Sequence, residues 1–309
     1  MTQAPKYARL TVSLINDFIR FKHAMKRSFL TQSLICLLAL SCSVRELDTM
    51  DGIADGKVYF ATLESYAQPD TKVYVDEDIK IRWDADDRIS LFEQSTMNRQ
   101  YRYTGETGSV DGNFVLVTDP FGTGGDLDYL CAVYPYLIST KIKNNDLLYL
   151  TLPEKQTYRK ESFGPGANTM VSVTKDNPLK FKNVGGYLVL KFYGEGIAVS
   201  SIRLEGKNGE KLSGDATMKP EIGVLPKISM AESAGTSITL TCDEPIKLGA
   251  GKENATIFWM VVPPTSFSKG FKLTVTDPDG KVFVKETEKE LSIVRNTVLR
   301  IAPVELKLN

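Results

Sequence analysis

The residues able to do chemistry in this chain are few and widely spaced. One histidine, His23, occurs in 309 residues. Histidine is the commonest general base near neutral pH and a frequent metal ligand. If the mature chain starts after residue 41, it contains no histidine. The four cysteines are Cys36, Cys42, Cys131 and Cys242, and the last two stand too far apart to suggest a metal-ligand pair. Serine or cysteine nucleophiles need a neighbouring base, and no motif supplies one. Asp84, Asp86 and Asp87 cluster after Trp83. Alternate carboxylates can open a calcium loop, but the further spaced ligands and closing glutamate are missing. The cluster reads instead as a solvated turn between strands at Lys80–Trp83 and Ile89–Phe92.

Gly122, Gly124 and Gly125 follow no strand-to-helix step and carry no Lys-Ser/Thr, so they read as a surface loop, not a phosphate cradle. Tyr101, Tyr103, Tyr129, Tyr134 and Tyr136 are able to stack on sugar rings; at strand spacing they read as core or sheet surface. Carboxylate pairs for glycoside hydrolysis are not marked by any cleft signature. The expectation is a protein that is not an enzyme and takes no cofactor or metal. Lys+Arg and Asp+Glu are 38 each, a net charge of zero. Nucleic-acid binding needs a concentrated basic face, so no nucleic-acid partner is expected.

The N-terminus carries an address. Met25 to Cys42 reads as a short cationic start, Lys26-Arg27, an apolar run from Phe29 to Leu40, and small Ser41 before Cys42. Such a run is too short to span a bilayer and has the form of a signal peptide. Cys42 sits where lipoproteins are cut and acylated, although Ala39 and Leu40 depart from the usual pattern. Residues 25–41 are read as a lipoprotein signal, with Cys42 as the lipidation site and a plain secretory signal as the alternative. Acyl chains hold a protein at a membrane by roughly 0.8 kcal/mol per buried CH₂. Residues 1–24 read as an extension foreign to the mature protein, with translation starting at Met25, or else as a long leader. In an exported chain Cys131 and Cys242 could pair, but both lie on apolar strand faces and read better as buried free thiols.

Beyond residue 56 the chain has period two or short apolar runs, not period 3.6. Ser/Thr alternate with Ile238, Leu240 and Cys242; Phe271, Leu273 and Val275 alternate with polar residues; Ile202 and Leu204 do the same. Each such strand buries one face of a sheet. Tyr129–Tyr134 and Ile257–Val262 are apolar on both faces and predict central strands. Asp277-Pro278-Asp279-Gly280 predicts a hairpin; breaks are also read at Asn208-Gly209, Asp111-Gly112 and Gly122–Gly125. Many short strands at this spacing predict an all-β fold of two tandem β-sandwich domains, an N-terminal one over 42–176 and a C-terminal one over 177–309.

Several runs together resemble the fimbrillin family, subunits of type V pili. They are Ile81-Arg82-Trp83-Asp84-Ala85-Asp86-Asp87-Arg88-Ile89-Ser90-Leu91-Phe92, Arg99-Gln100-Tyr101-Arg102-Tyr103-Thr104-Gly105, Ala132-Val133-Tyr134-Pro135-Tyr136, Leu152-Pro153-Glu154-Lys155-Gln156 and Phe181-Lys182-Asn183-Val184-Gly185-Gly186-Tyr187-Leu188. The last looks like the opening strand of the family's C-terminal domain. The resemblance implies transthyretin-like sandwiches and a lipid-anchored precursor at the outer membrane. It also implies removal of the first strand by a protease that cuts after a basic residue, followed by strand exchange with other fimbrial subunits. Lys57 and Lys72 are the candidate processing sites; Arg45 is too close to Cys42 to release a strand, and no Arg lies between Arg45 and Arg82. The expected role is structural or adhesive, as pilin, tip or anchor at the cell surface, in contact with other subunits and with a host or bacterial receptor. The alternative is a surface lipoprotein that binds glycans and does not polymerise. The C-terminal alternation from Thr297 to Leu308 fits a terminal core strand or a donor strand.

Overall fold

The computed structural model describes residues 57–65, 81–143 and 147–307. The leader, the signal segment, Cys42 and Lys72 lie outside the described residues. The described chain is all-β, with one short 3-10 turn at Lys252–Asn254. In chain order the strands are β1 (Tyr59–Leu63), β2 (Arg88–Ser95), β3 (Arg99–Tyr103), β4 (Asp111–Thr118), β5 (Asp126–Tyr134), β6 (Lys141–Lys143) and β7 (Leu147–Leu152). Next come β8 (Lys155–Arg159), β9 (Ser162–Phe163), β10 (Met170–Thr174), β11 (Leu179–Asn183), β12 (Gly186–Tyr193), β13 (Ala198–Gly206) and β14 (Gly214–Met218). The last are β15 (Ser229–Met230), β16 (Ser237–Lys247), β17 (Thr256–Val262), β18 (Thr265–Phe267), β19 (Phe271–Thr276), β20 (Val282–Glu286), β21 (Leu291–Ile293), β22 (Val298–Arg300) and β23 (Val304–Glu305).

Seven strands close a barrel in the order β1-β11-β10-β5-β2-β3-β4. Closure leaves these strands no open edge. Aromatic side chains fill the interior: Trp83 stands edge-on to Phe114, Tyr134 and Phe181 at 5.0, 5.5 and 5.4 Å between centroids. Such pairs add to the stability already gained from burial.

Outside the barrel, the sheet β15-β14-β7-β6 covers one flank. Its Leu148, Leu150, Ala216 and Met218 pack on Tyr129, Cys131 and Val133 of β5 and on Val171 of β10. The other face of β5 sends Leu130, Ala132 and Tyr134 into the barrel. The apolar run at 129–134 is therefore a central strand, buried on both sides.

The pair β12–β17 works the same way. Tyr187, Val189, Trp259 and Val261 join the barrel core. Leu188, Leu190, Phe192, Phe258, Met260 and Val262 face a second core built with Ile202, Leu204, Ile238, Leu240, Leu273 and Val275. Those last residues belong to the sheet β20-β19-β13-β16-β8-β9. Along β19 the burial alternates strictly, as the period-two pattern predicts. Asp277–Gly280 makes the expected hairpin: the Asp277 N–H bonds the Lys281 carbonyl at 2.9 Å and Gly280 takes a φ of +80°.

The structure differs from the sequence expectation at several points. Asp111-Gly112 does not break the chain; it opens β4, where Gly112 faces Ala61 of β1. Residues 81–83 form no named strand, although Trp83 exchanges backbone hydrogen bonds with Ser109 and Gly108. The Phe181–Leu188 run does not form one opening strand. Its first half ends β11, which closes the barrel, and its second half starts β12 in another sheet. The bend passes so close to the neighbouring chain that a Cβ on Gly186 would run into the Val294 carbonyl oxygen. The sheets therefore do not separate at residue 176. β11 from beyond it closes the barrel, β8 and β9 from before it extend the β16 sheet, and β14 pairs with β7. Cys131 and Cys242 are free thiols, the first buried and the second half-buried.

Candidate functional site

The first strand is the element that the sequence reading marks for removal, and its seat is well defined. β1 lies antiparallel to β4 and parallel to β11. Tyr59 and Ala61 point into the barrel, and Ala61 is completely buried. Phe60 is on the outer side, where its N–H donates to the Asn177 Oδ1 at 2.9 Å. Inside, Tyr59 meets Tyr101 edge-on at 5.5 Å. Burial raises the pKa of both phenols, and both hydrogen-bond Glu93. Glu93 thus ties the start of β1 to β2 and β3.

The exit of β1 is tied more firmly. Glu64 donates its N–H to the Phe181 carbonyl at 3.1 Å. Its carboxylate accepts from the Asn183 N–H at 3.0 Å and from the two terminal nitrogens of Arg295 at 2.7 and 3.2 Å. Lys182 Nζ lies 3.7 Å away. The side chains of Glu64 and Arg295 are only 12% and 17% exposed, which separates this pair from ordinary surface ion pairs. Arg295 also donates to the Asn183 carbonyl at 3.0 Å.

Next to it runs a chain of buried amides. Asn296 donates to the Ser65 carbonyl at 2.9 Å, Asn183 donates to Asn296 at 2.6 Å, and Asn168 donates to Asn183 at 2.8 Å. All three asparagines are buried. Buried polar groups hold their place only when paired, and here residues 64 and 65 supply the outer partners.

At the other end of the chain, β22 and β23 lie parallel to β12. Leu306 donates its N–H to the Tyr193 carbonyl at 2.9 Å, and its side chain is buried. The C-terminal alternation therefore forms strands docked on the protein's own sheet.

The acidic cluster is a turn, but not a fully solvated one. Asp84 receives both terminal nitrogens of Arg159, at 2.6 and 3.0 Å, and Asp86 pairs with Arg102 at 2.8 Å. Asp87 turns inward, accepting from the Asp84 N–H at 2.8 Å and from the Tyr134 hydroxyl at 2.9 Å. Burial pushes its carboxyl up to about 6. The turn borders a cleft of about 300 Å³ lined also by Trp83, Thr107, Phe163 and Asn168. Among the described residues, no three His, Cys, Asp or Glu side chains are grouped to hold a metal.

Of the predicted site residues, Lys57 is exposed just before β1, whereas Cys42 and Lys72 lie outside the described residues. Tyr101, Tyr103, Tyr129 and Tyr134 are buried core, and Tyr136 is half-buried. The loop at Gly122–Gly125 is a surface loop, as expected, and carries a fully exposed Phe121 beside it. Sequence reasoning missed Glu64, Arg295 and the three asparagines. Their partners lie up to 231 residues away, so no local pattern signals them.

No protein-family model and no curated protein sequence matches the chain. Solved structures do. A proposed cell adhesion protein from Bacteroides ovatus aligns with a TM-score of 0.43 and 15% identity over 76% of this chain and 87% of its own. A second, from Bacteroides uniformis, gives 0.43 and 15% over 82% and 94%. The tip fimbrial protein Mfa3 from Porphyromonas gingivalis gives 0.29 and 11% over 74% and 81%. Likeness at this level does not assign a family.

Proposed function

We propose that this chain is a structural or adhesive subunit of a surface fimbria, without catalysis, that assembles by exchange of its first strand. The observation that carries this reading is the seat of β1. A five-residue strand completes a closed barrel, with exposed Lys57 two residues before it. Cleavage after Lys57 would leave β1 in place. Cleavage after Lys72 would detach it and open the groove between β4 and β11. Backbone groups along that groove would then bind an extended strand, and its inward pockets would select side chains at alternate positions. In this reading the barrel with its β6-β7-β14-β15 flank is one transthyretin-like sandwich. The layers on the far side of β12 and β17 form the other. Export as a lipoprotein through Cys42, and a place at the outer membrane, belong to the same proposal.

An adhesive role has its own support. Phe121 and Ile138 are almost fully exposed. Their loops both adjoin the turn at Met97–Asn98: Asn98 donates to the Leu137 carbonyl at 3.0 Å, and Gly124 packs against Met97. Exposed apolar side chains gathered at one end suit contact with a surface or a neighbour. The glycan-binding alternative loses its motivation, because four of the five tyrosines behind it are buried.

The test is limited proteolysis of the purified protein with a lysine-specific protease, followed by gel electrophoresis without boiling. Heat-labile ladders that appear for wild type and for Lys57→Gln, but not for a chain with both Lys72→Gln and Lys80→Gln, support strand exchange. Failure of all cut forms to assemble, with β1 still bound, overturns it.

A further inference from the structure

We propose that the seat of β1 accepts only strands that present a carboxylate where Glu64 now lies, so that partner choice is set by an acidic residue at the end of the incoming strand. The inference rests on the strand-exchange reading and goes beyond it by naming the partner's chemistry.

Three donors converge on the Glu64 carboxylate: the Arg295 guanidinium, the Asn183 N–H and, farther off, Lys182. None of them leaves with β1, because all belong to the rest of the fold. Arg295 stays held by the Asn183 carbonyl at 3.0 Å, and it is largely covered whenever a strand fills the seat as β1 now does. A guanidinium kept in place and covered by the seated strand strongly favours an opposite charge over a neutral neighbour. An incoming strand with an apolar residue here would leave that charge, and the Asn183 N–H, without partners. One with Lys or Arg would add repulsion from Arg295 and Lys182. Such a penalty on wrong partners is how strand grooves, otherwise permissive because backbone bonds dominate, acquire specificity.

The remaining positions narrow the pattern. Ala61 is completely buried, so the third position must be small. Tyr59 hydrogen-bonds Glu93, so the first favours a phenol. The fitting strand reads phenol, any residue, small, any residue, apolar, acid. One residue beyond the acid, the incoming strand must also bring a carbonyl to Asn296, which now bonds the Ser65 oxygen.

The experiment uses the full chain with a site-specific protease sequence replacing residues 67–72. After cutting, the protein is incubated in mild denaturant with fluorescent peptides spanning residues 57–65, either native or carrying Glu64→Gln or Glu64→Arg. We expect the native peptide to be captured, with the Gln peptide bound about tenfold more weakly or worse, and the Arg peptide not captured. In an Arg295→Glu chain the preference should reverse toward the Arg peptide. If that chain fails to fold, the peptide series on the unaltered chain decides alone. Equal capture of native and Gln peptides overturns the acid requirement while leaving strand exchange standing. Capture of no peptide by the cut chain overturns strand exchange, and the acid requirement with it.

Discussion

Gln156 and Val261 pair as two strands would, except that one partner is a side chain. The Gln156 Nε2 donates to the Val261 carbonyl at 2.7 Å, and the Val261 N–H donates to the Gln156 Oε1 at 2.9 Å. Gln156 is buried, and Val261 pairs on its other side with Tyr187 of β12. One amide side chain thus caps the edge of β17 at Val261. Replacing Gln156 with Leu should leave two buried backbone groups unpaired and cost about 2–5 kcal/mol in urea unfolding. Glu is the sharper test. When protonated it can both donate and accept, as Gln does; when ionised it cannot donate. Burial raises such a carboxyl above its unfolded value near 4.3, so Gln156→Glu should approach wild type at low pH and lose stability as pH rises from about 4. A pH-independent loss would count against this pairing.

Asp87 carries a second pH dependence. Its carboxyl titrates near pH 6 in the fold, chiefly because of burial, against an ordinary value of 3.8. Between these values the folded state holds a proton that the unfolded state has released. The unfolding free energy from this group therefore falls as pH rises from about 4 to 6 and is level above. Asp87→Asn should flatten that part of the profile. Urea midpoints of the two proteins, compared across the window, give the difference directly.

The two downstream thiols should differ in reactivity. Burial pushes Cys131 up to about 12, and Cys242 up to about 11. Only Cys242 is partly open to solvent. In a chain with Cys36 and Cys42 changed to Ser, a thiol reagent at neutral pH should label Cys242 slowly and Cys131 only after denaturation. Rapid labelling of both in the native state would contradict the burial of β5.

Gly186 has no room for a side chain, because the Val294 carbonyl oxygen occupies the space. Gly186→Ala must displace backbone and should cost about 1–3 kcal/mol, the usual range for overpacking. Gly209→Ala is the control: it meets no atom, and only its φ of +75° opposes the change. A thermal melt should rank Gly186→Ala as the more damaging of the two.

Strand existence was legible in the sequence because burial on one face writes period two directly into composition. The alternation of Phe271, Leu273 and Val275, the two-faced runs at 129–134 and 257–262, and the Asp277–Gly280 turn all reappear in the fold. Partner choice was not legible. Phe181 and Tyr187 belong to one run that reads as a single strand yet serve different sheets, because the Gly185-Gly186 bend separates them. The exit latch left still less trace. Glu64 is one acid among many until Arg295 arrives beside it, and Asn183 looks like a loop residue until Asn168 and Asn296 enclose it. Conversely, the Asp84–Asp87 cluster drew notice from its composition, but Arg159 and Tyr134 determine what it does.

The order in which the polypeptide is made has a bearing on the barrel. Tyr59 and its neighbours can meet β4 early, but β11 ends only at Asn183. Arg295 follows Glu64 by 231 residues. A chain emerging N-terminus first therefore keeps the exit of β1 unsealed until Arg295 has been synthesised or secreted. Contacts of such sequence separation make for slow folding. In that interval the β1 seat is open to any other strand that fits.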